Sequence, residues 1–542
     1  MGHAMVSSAA LSRDNRIGLA LILLAAAGAL AFRLPLLDLK PFHGDEANQA
    51  FKAGVLLETG DYAYDPIEHH GPTIYYMMLP FAWLTTDGTF AGTTESTYRI
   101  VPVLFGAAIV LLMIPLRGAI GTRATFIAAV LTAISPAMVY YSRYYIQEML
   151  LVFFAFGAIV AGWYCIQRKS YAAAIAAGLC FGLAHASKET CVLAFVSYFG
   201  AWVCTAGWSR LRDGDFAAFA AVKKFATRNV VVCILAAVAV SMLFFSSFFT
   251  HPRGVINSVL AYTNYSNKAG NFAIHDKPWR YYLQMLLLTR HSGNPWFSEA
   301  LILALGAKGI VVTLLAKRNP NNPSLNLLRF LAFYTLGMTA AYSLIPYKTP
   351  WCALNFLQPL IVMAGVGADA LIRGMRWRPV KFAVAAALAL LMLQLGMQAY
   401  RSSFVYYADV RNPYVYAHTS SAISRLAERI QDIPAFSPEG NAMLVGVVAP
   451  DADYWPLPWY LRKMKNVGYW TSLPADLDAP LYTASMIVVS PKITEELAGR
   501  LRAGYHSEMH ALRPGVLRTL FIRTALWEKF METRQNPVPE PG

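Results

Sequence analysis

Long apolar runs separated by short polar ones fill the chain from residue 17 to residue 398. A helix needs about 20 mostly apolar residues to cross a bilayer. On that criterion the pattern predicts membrane helices over 17–37, 98–116, 124–141, 149–166, 171–186, 192–208, 230–250, 297–316, 327–345, 353–372 and 382–398. Two further apolar pieces, 74–84 and 281–288, are too short to span and are expected in the membrane interface. No small-residue cleavage site follows the first apolar stretch, so 17–37 reads as a retained helix and not as a signal peptide. Beyond residue 400 the pattern changes. Short β-type runs at 442–448, 486–489 and 516–522 alternate with helix-like stretches at 420–432, 494–503 and 525–534. The expectation is a polytopic α-helical membrane protein of about eleven transmembrane helices. Interfacial helices lie in its first outer loop, and a small C-terminal α/β domain follows, with domains over 1–399 and 400–542.

Composition agrees: 56% of residues are hydrophobic and 14% charged, with a mean hydropathy of +0.41. Soluble domains carry about 25% charged residues. The 46 Lys and Arg against 31 Asp and Glu leave a net charge of +15, and their placement explains the excess. Arg13 and Arg16; Arg117 and Arg123; Arg168 and Lys169; Arg210, Arg212, Lys223, Lys224 and Arg228; Lys317 and Arg318; and Arg373, Arg376, Arg378 and Lys381 occupy alternate loops. That side is the cytoplasm by the positive-inside rule, which puts residues 400–542 outside. No basic run with interleaved aromatics points to nucleic acid. The six cysteines lie in apolar stretches without metal spacing and read as packing residues.

The first outer loop is acidic, with Asp45, Glu46, Glu58, Asp61, Asp65 and Glu68 against Lys52. Asp45 is either an N-cap, a role worth about 0.5–2 kcal/mol, or a catalyst. Other ionisable groups gather at the outer ends of the spans: Arg143, Gln147 and Glu148; Lys188 and Glu189; Lys348; and His275, Asp276, Lys277 and Arg280. Such groups are costly in a membrane and point to function. Carboxylates suit proton abstraction from a hydroxyl, and Lys and Arg suit an anionic phosphate. In the stretch DYWPLPWYLR, Trp455, Trp459 and Tyr460 either stack on a sugar or pack the outer domain against the membrane.

An ordered series of motifs runs through the membrane region. It comprises Asp45-Glu46 after the first helix, Gly60-Asp61-Tyr62, Gly71-Pro72 before an aromatic helix, and Arg99 opening the second span. Ser135-Pro136 ahead of YYSRYYIQE, the SKE lysine, KPWRYY and PYKTPW complete it. The series resembles the membrane glycosyltransferases with the C-type fold, the superfamily of protein O-mannosyltransferases and lipid A aminoarabinose transferases. Through YKTPWCALNFLQPL and DYWPLPWYLR the chain is most similar to a subfamily often labelled flippase-activity-associated.

The resemblance implies an inverting transfer of a sugar from a polyprenyl-phosphate donor to an envelope acceptor (lipid, glycan or protein) on the outer face of the plasma (inner) membrane. It implies Asp45 as general base with Glu46 beside it, and Lys188, Lys348, Arg143 and Arg280 as contacts to the donor phosphate. Glu148, Asp61 and Tyr347 are then candidates for the acceptor or sugar. Glu68 and His275 match positions at which related aminoarabinose transferases place a metal near the lipid phosphate. Here Glu68 is followed by two histidines, a departure that either strengthens such a site, with His69 as a further ligand, or replaces a lysine contact. No other cofactor is implied. The rival readings are a lipid-linked sugar flippase or transporter, which should show internal repeats, and a non-catalytic assembly subunit; no repeat is evident.

Overall fold

The computed structural model describes residues 2–67, 70–214, 227–269, 276–291, 295–317, 324–450, 453–502 and 504–535. The chain divides into two compact units. The first is Met1–Leu37, Asp61–Met78 and Arg99–Tyr416; the second is Asp38–Gly60, Leu79–Tyr98 and Ala417–Gly542.

Among the described residues, eight helices are long and apolar enough to cross a membrane. They are Arg16–Arg33, Glu95–Ile120, Glu148–Arg168, Cys191–Asp213, Arg228–Phe245, Leu325–Leu344, Pro350–Gly374 and Arg378–Val405. The span expected over 124–141 is two helices, Thr122–Ile134 and Pro136–Ser142, bent by 55° at Ser135, and counts as a ninth candidate if the pair is one span. The segments 171–186 and 297–316 form shorter apolar helices, Tyr171–His185 and Ala300–Leu315. The protein is a polytopic helical membrane protein.

The bend has a chemical cause. Pro136 has no N–H to donate and disfavours helical geometry in the residue before it, so Ser135 leaves the helix and caps the next one, its Oγ accepting from the N–H of Met138 at 3.4 Å. Buried Glu299 completes the joint. It accepts from the Ser135 hydroxyl at 2.6 Å, the Ala137 N–H at 2.9 Å and the Tyr414 hydroxyl at 2.9 Å. Elsewhere small residues let helices touch: a Cβ on Gly309 would lie 1.9 Å from the Met363 carbonyl oxygen, and one on Gly367 would lie 2.0 Å from that of Leu305. Close backbone approach of this kind replaces the hydrophobic drive that lipid removes.

The second unit holds a five-stranded mixed sheet. Strand β3 (Leu444–Val448) runs parallel to β4 (Asn466–Trp470) and β5 (Met486–Val489), and β7 (Val516–Arg523) is antiparallel to β5 and to β6 (Tyr505–Arg513). The order is β4-β3-β5-β7-β6, while β1 (Thr289–Arg290) and β2 (Trp296–Phe297) form a separate ribbon in the first unit. Strand β5 is buried throughout and β3 at all but its first residue, as expected of strands covered on both faces. Those two strands and β7 lie on the three β-type runs of the sequence; β4 and β6 were not expected.

Candidate functional site

In the second unit, Asp45 sits in the first turn of the Gly44–Thr59 helix. His43 is the N-cap: its Nδ1 accepts the backbone N–H of Asp45 at 3.0 Å, and Glu46 Oε2 accepts the N–H of His43 at 3.1 Å. The reading of Asp45 as an N-cap is therefore incorrect. Sequence rules favour Asp, Asn, Ser and Thr as caps, and a histidine in that role gave no warning. The Asp45 side chain is 54% exposed, with Oδ2 3.7 Å from His43 Nδ1, whereas Glu46 is fully buried.

In the first unit, Lys188 and Glu189 occupy the turn between the Tyr171–His185 and Cys191–Asp213 helices. The Gly71-Pro72 segment docks on this turn. Thr73 donates its N–H and its hydroxyl to the Ala186 carbonyl at 3.1 and 2.7 Å, and a Cβ on Gly71 would lie 2.1 Å from that oxygen. Buried Lys188 donates its Nζ to Glu148, also buried, at the start of the Glu148–Arg168 helix. Burial opposes the ammonium, but the Glu148 carboxylate more than offsets it and holds the Lys188 pKa above its ordinary value. Glu189 accepts from the Tyr64 hydroxyl at 3.0 Å and lies 2.8 Å from His70 Nδ1. Burial pushes its carboxyl up, and the His70 and Tyr64 contacts outweigh that, leaving it below the ordinary carboxylate value. Asp61 is exposed and meets His251 Nε2 at 2.5 Å.

Two of the other cations are turned to main-chain carbonyls. Arg143 donates to the carbonyls of Arg33, Pro35 and Leu36 at 2.5–2.7 Å, with its guanidinium 4.4 Å from the Phe404 ring centre; it thus satisfies the last carbonyl of the first helix and two carbonyls of the turn that follows it. Lys348 donates to the carbonyls of Ile345 and, at 3.1 Å, Lys277. Burial lowers its pKa and the Asp276 carboxylate works against that. Tyr347 is 46% exposed and bridges to Asp276 through the backbone, and Arg280 is exposed. Glu68, His69 and His275 lie outside the described residues. Among the described residues no group of three or more His, Cys, Asp or Glu side chains is placed to hold a metal ion.

A sequence comparison with curated proteins gives no match. Residues 74–252 match the model of the dolichyl-phosphate-mannose-protein mannosyltransferase family. The crystal structure of ArnT from Cupriavidus metallidurans in the apo state superposes with a TM-score of 0.62 at 16% identity, covering 92% of this chain and 97% of that one. The same protein bound to undecaprenyl phosphate gives 0.62 at 15% identity over the same shares. The oligosaccharyltransferase AglB from Archaeoglobus fulgidus, in complex with an inhibitory peptide and a dolichol-phosphate, gives 0.54 at 13% identity, covering 88% of this chain and 69% of that one.

The chain has the C-type glycosyltransferase fold. Within this fold, the Lys188–Glu148 and Glu189–His70–Tyr64 contacts form a buried charged cluster at an end of the first unit's helices. His70 and Tyr64 were not singled out from sequence, and Glu189 was named beside Lys188 without a role. The Glu189 partners lie 119 and 125 residues away along the chain, so spacing carries no sign of them. The sole hint was the adjacency of Glu189 to Lys188.

Proposed function

We propose that this protein transfers a sugar from a polyprenyl-phosphate donor to an envelope acceptor at the outer face of the plasma membrane, with inversion. The observation that carries the reading is the C-type fold extending over 92% of the chain, together with two kinds of chemistry that such a transfer needs. The first unit supplies a buried lysine, Lys188, with donors suited to an anionic lipid phosphate. The second supplies an exposed carboxylate suited to taking a proton.

In the proposed step an acceptor hydroxyl attacks the anomeric carbon and its proton passes to Asp45. The bond from that carbon to the phosphate oxygen breaks, and the electron pair leaves with the lipid phosphate. Lys188, held ionised by Glu148, keeps two further N–H donors for the charge that develops on the phosphate. Arg280, exposed, is a second contact from the same unit. Arg143 and Lys348 are positioning residues in this reading, because their donors bind main-chain carbonyls. In this reading the lengths of the apolar runs give eleven spans, and the Lys and Arg distribution puts the N-terminus in the cytoplasm and the sheet-bearing segment outside.

The test is purification with native lipids, identification of bound polyprenyl phosphate by mass spectrometry, and transfer from a radiolabelled polyprenyl-phosphate sugar to membranes. Absence of both bound lipid and lipid-dependent transfer would defeat the proposal.

A further inference from the structure

The structure splits the DYWPLPWYLR stretch into two parts with different environments. Trp459 is fully buried. Its ring meets Phe42 at 4.7 Å, Tyr98 at 5.3 Å and Phe90 at 5.8 Å, and its Nε1–H donates to Glu95 at 3.1 Å. The Tyr460 hydroxyl accepts the N–H of Phe42 at 3.0 Å. These two residues hold the second unit together and have no face left for a ligand.

Trp455 and Tyr454 are different, because both remain partly exposed. Trp455 abuts the start of the Asp45 helix: a Cβ on Gly44, the residue before Asp45, would lie 3.6 Å from the Trp455 Cβ. The ring of Phe51, on the same helix, meets Trp455 in a T-shaped contact at 6.2 Å and fixes its orientation. Tyr454 stands 6.0 Å from Trp455 at an interplanar angle of 35°, and Tyr469 stands 4.9 Å from Tyr454 at 43°. Tyr469 lies on the edge strand β4 and is 39% exposed. Three aromatic rings therefore run in a row, tilted toward one another, and the row ends against the first turn of the helix that carries Asp45.

We propose that the Tyr469–Tyr454–Trp455 row is a binding platform for a carbohydrate, and that it holds the sugar chain of the acceptor next to Asp45. The proposal rests on the reading of Asp45 as the base. Aromatic faces accept the C–H side of a sugar ring, and the Tyr hydroxyls and Trp N–H reach its polar edge. The Asp45 carboxylate accepts from sugar hydroxyls. A bilayer headgroup region also attracts Trp and Tyr, but the row ends on the helix whose first turn carries the exposed Asp45, and a charged group on that turn suits a hydroxyl-rich ligand better than acyl chains.

The protein in detergent is applied to a printed array of defined oligosaccharides, with Trp455→Ala, Trp455→Phe, Tyr469→Ser and Asp45→Asn alongside. Wild type is expected to retain at least one oligosaccharide class. Trp455→Ala and Tyr469→Ser should lose at least tenfold in retention, and Trp455→Phe, which keeps a ring against Phe51, should bind at intermediate strength. Thermal melting of each variant separates lost binding from lost fold, and Tyr469→Ser, at a surface position, tests the row if Trp455→Ala melts early. Asp45→Asn removes the charge but keeps one acceptor oxygen, so its retention should fall only a few-fold, less than in the ring variants, while its transfer activity falls by about 10²–10⁴-fold; retention judges the platform and transfer judges the base. No retained oligosaccharide, or equal retention by a folded Trp455→Ala or Tyr469→Ser variant, overturns the proposal. So does quenching of the Trp455 fluorescence, taken as wild type minus Trp455→Phe, by doxyl-labelled phosphatidylcholine vesicles, which would put the row in the bilayer.

Discussion

The Nδ1 of His43 accepts the backbone N–H of Asp45 at 3.0 Å. A nitrogen that accepts carries no proton, so a neutral His43 ring keeps its hydrogen on Nε2. The ring stacks on His418 at 5.9 Å with planes 7° apart, and Glu46 closes the cap from the other direction. Two side chains flanking Asp45 thus secure the helix end, and the Asp45 carboxylate is spared that duty.

Substitution at Asp45 should therefore separate activity from stability. Asp45→Asn and Asp45→Ala lose at most the interaction of a first-turn carboxylate with the helix dipole, about 0.3–1 kcal/mol. Lipid-dependent sugar transfer should fall by about 10²–10⁴-fold in both, the usual share of a general base. Melting temperature and transfer rate, measured on the same preparations, check this. A fully active Asn variant ends the assignment.

His43 should behave in the opposite sense. His43→Ala removes the acceptor for the Asp45 N–H and should cost about 0.5–2 kcal/mol of stability, while His43→Asn should recover most of it, because Asn is among the best N-caps. Equal melting of the alanine and asparagine variants would show that the ring's packing on His418, and not its cap, is what matters.

Lys188 and Glu148 should be strongly non-additive. Lys188→Ala leaves the Glu148 carboxylate buried without its cation, a loss of about 3–5 kcal/mol for a broken buried pair. The Lys188→Met/Glu148→Gln double variant removes both charges and should be more stable than Lys188→Ala. If Lys188 binds the donor phosphate, the double variant stays folded yet uses the donor poorly. Normal donor use in a stable double variant would remove Lys188 from the site.

Glu189 gives the protein a dependence on acid. Its carboxyl lies below the ordinary value of 4.5 when folded, so the unfolded chain takes up the proton first as pH falls. The resulting stability is complete above about pH 4.5 and is lost as pH drops through the folded value. Thermal unfolding followed from pH 7 to pH 3 should show that loss in wild type and a flatter profile in Glu189→Gln. Parallel profiles would mean the His70 and Tyr64 contacts do not favour the ionised form.

How much of this was legible depends on the range of the interaction. The apolar runs marked the membrane helices because lipid imposes length and composition residue by residue, but 124–141 was read as one span although Pro136 disfavours helical geometry in the residue before it, and the helix bends there by 55°. The β3 and β5 runs stood out because they carry no polar side chain, and β7 because Leu520, Phe521 and Ile522 follow its polar pair Arg518-Thr519. Strand β4 did not, since Asn466, Gly468 and the exposed Tyr469 break its pattern. Pairings such as Glu189 with His70, or Glu299 with Ser135, join residues more than a hundred positions apart, and no local period encodes them. Arg143 and Lys348 were legible as cations but not as donors to carbonyls, because their acceptors belong to the backbone.

Orientation in the membrane decides on which side any transfer takes place. The loops bearing Arg117 and Arg123, Arg210 and Arg212, and Arg373 and Arg376 fall on one side if the chain crosses the bilayer as its sequence pattern predicts, and translocation of such loops is disfavoured. Glu439 and Lys317 are both exposed and fall on opposite sides in that arrangement. In a background without the six native cysteines, Glu439→Cys should react with a membrane-impermeant maleimide added to intact cells, and Lys317→Cys should react only after the membrane is opened. The reverse pattern would put the Lys188–Glu148 cluster at the cytoplasmic face. The donor would then have to be a lipid-linked sugar presented from inside, and transfer at the outer face would be excluded.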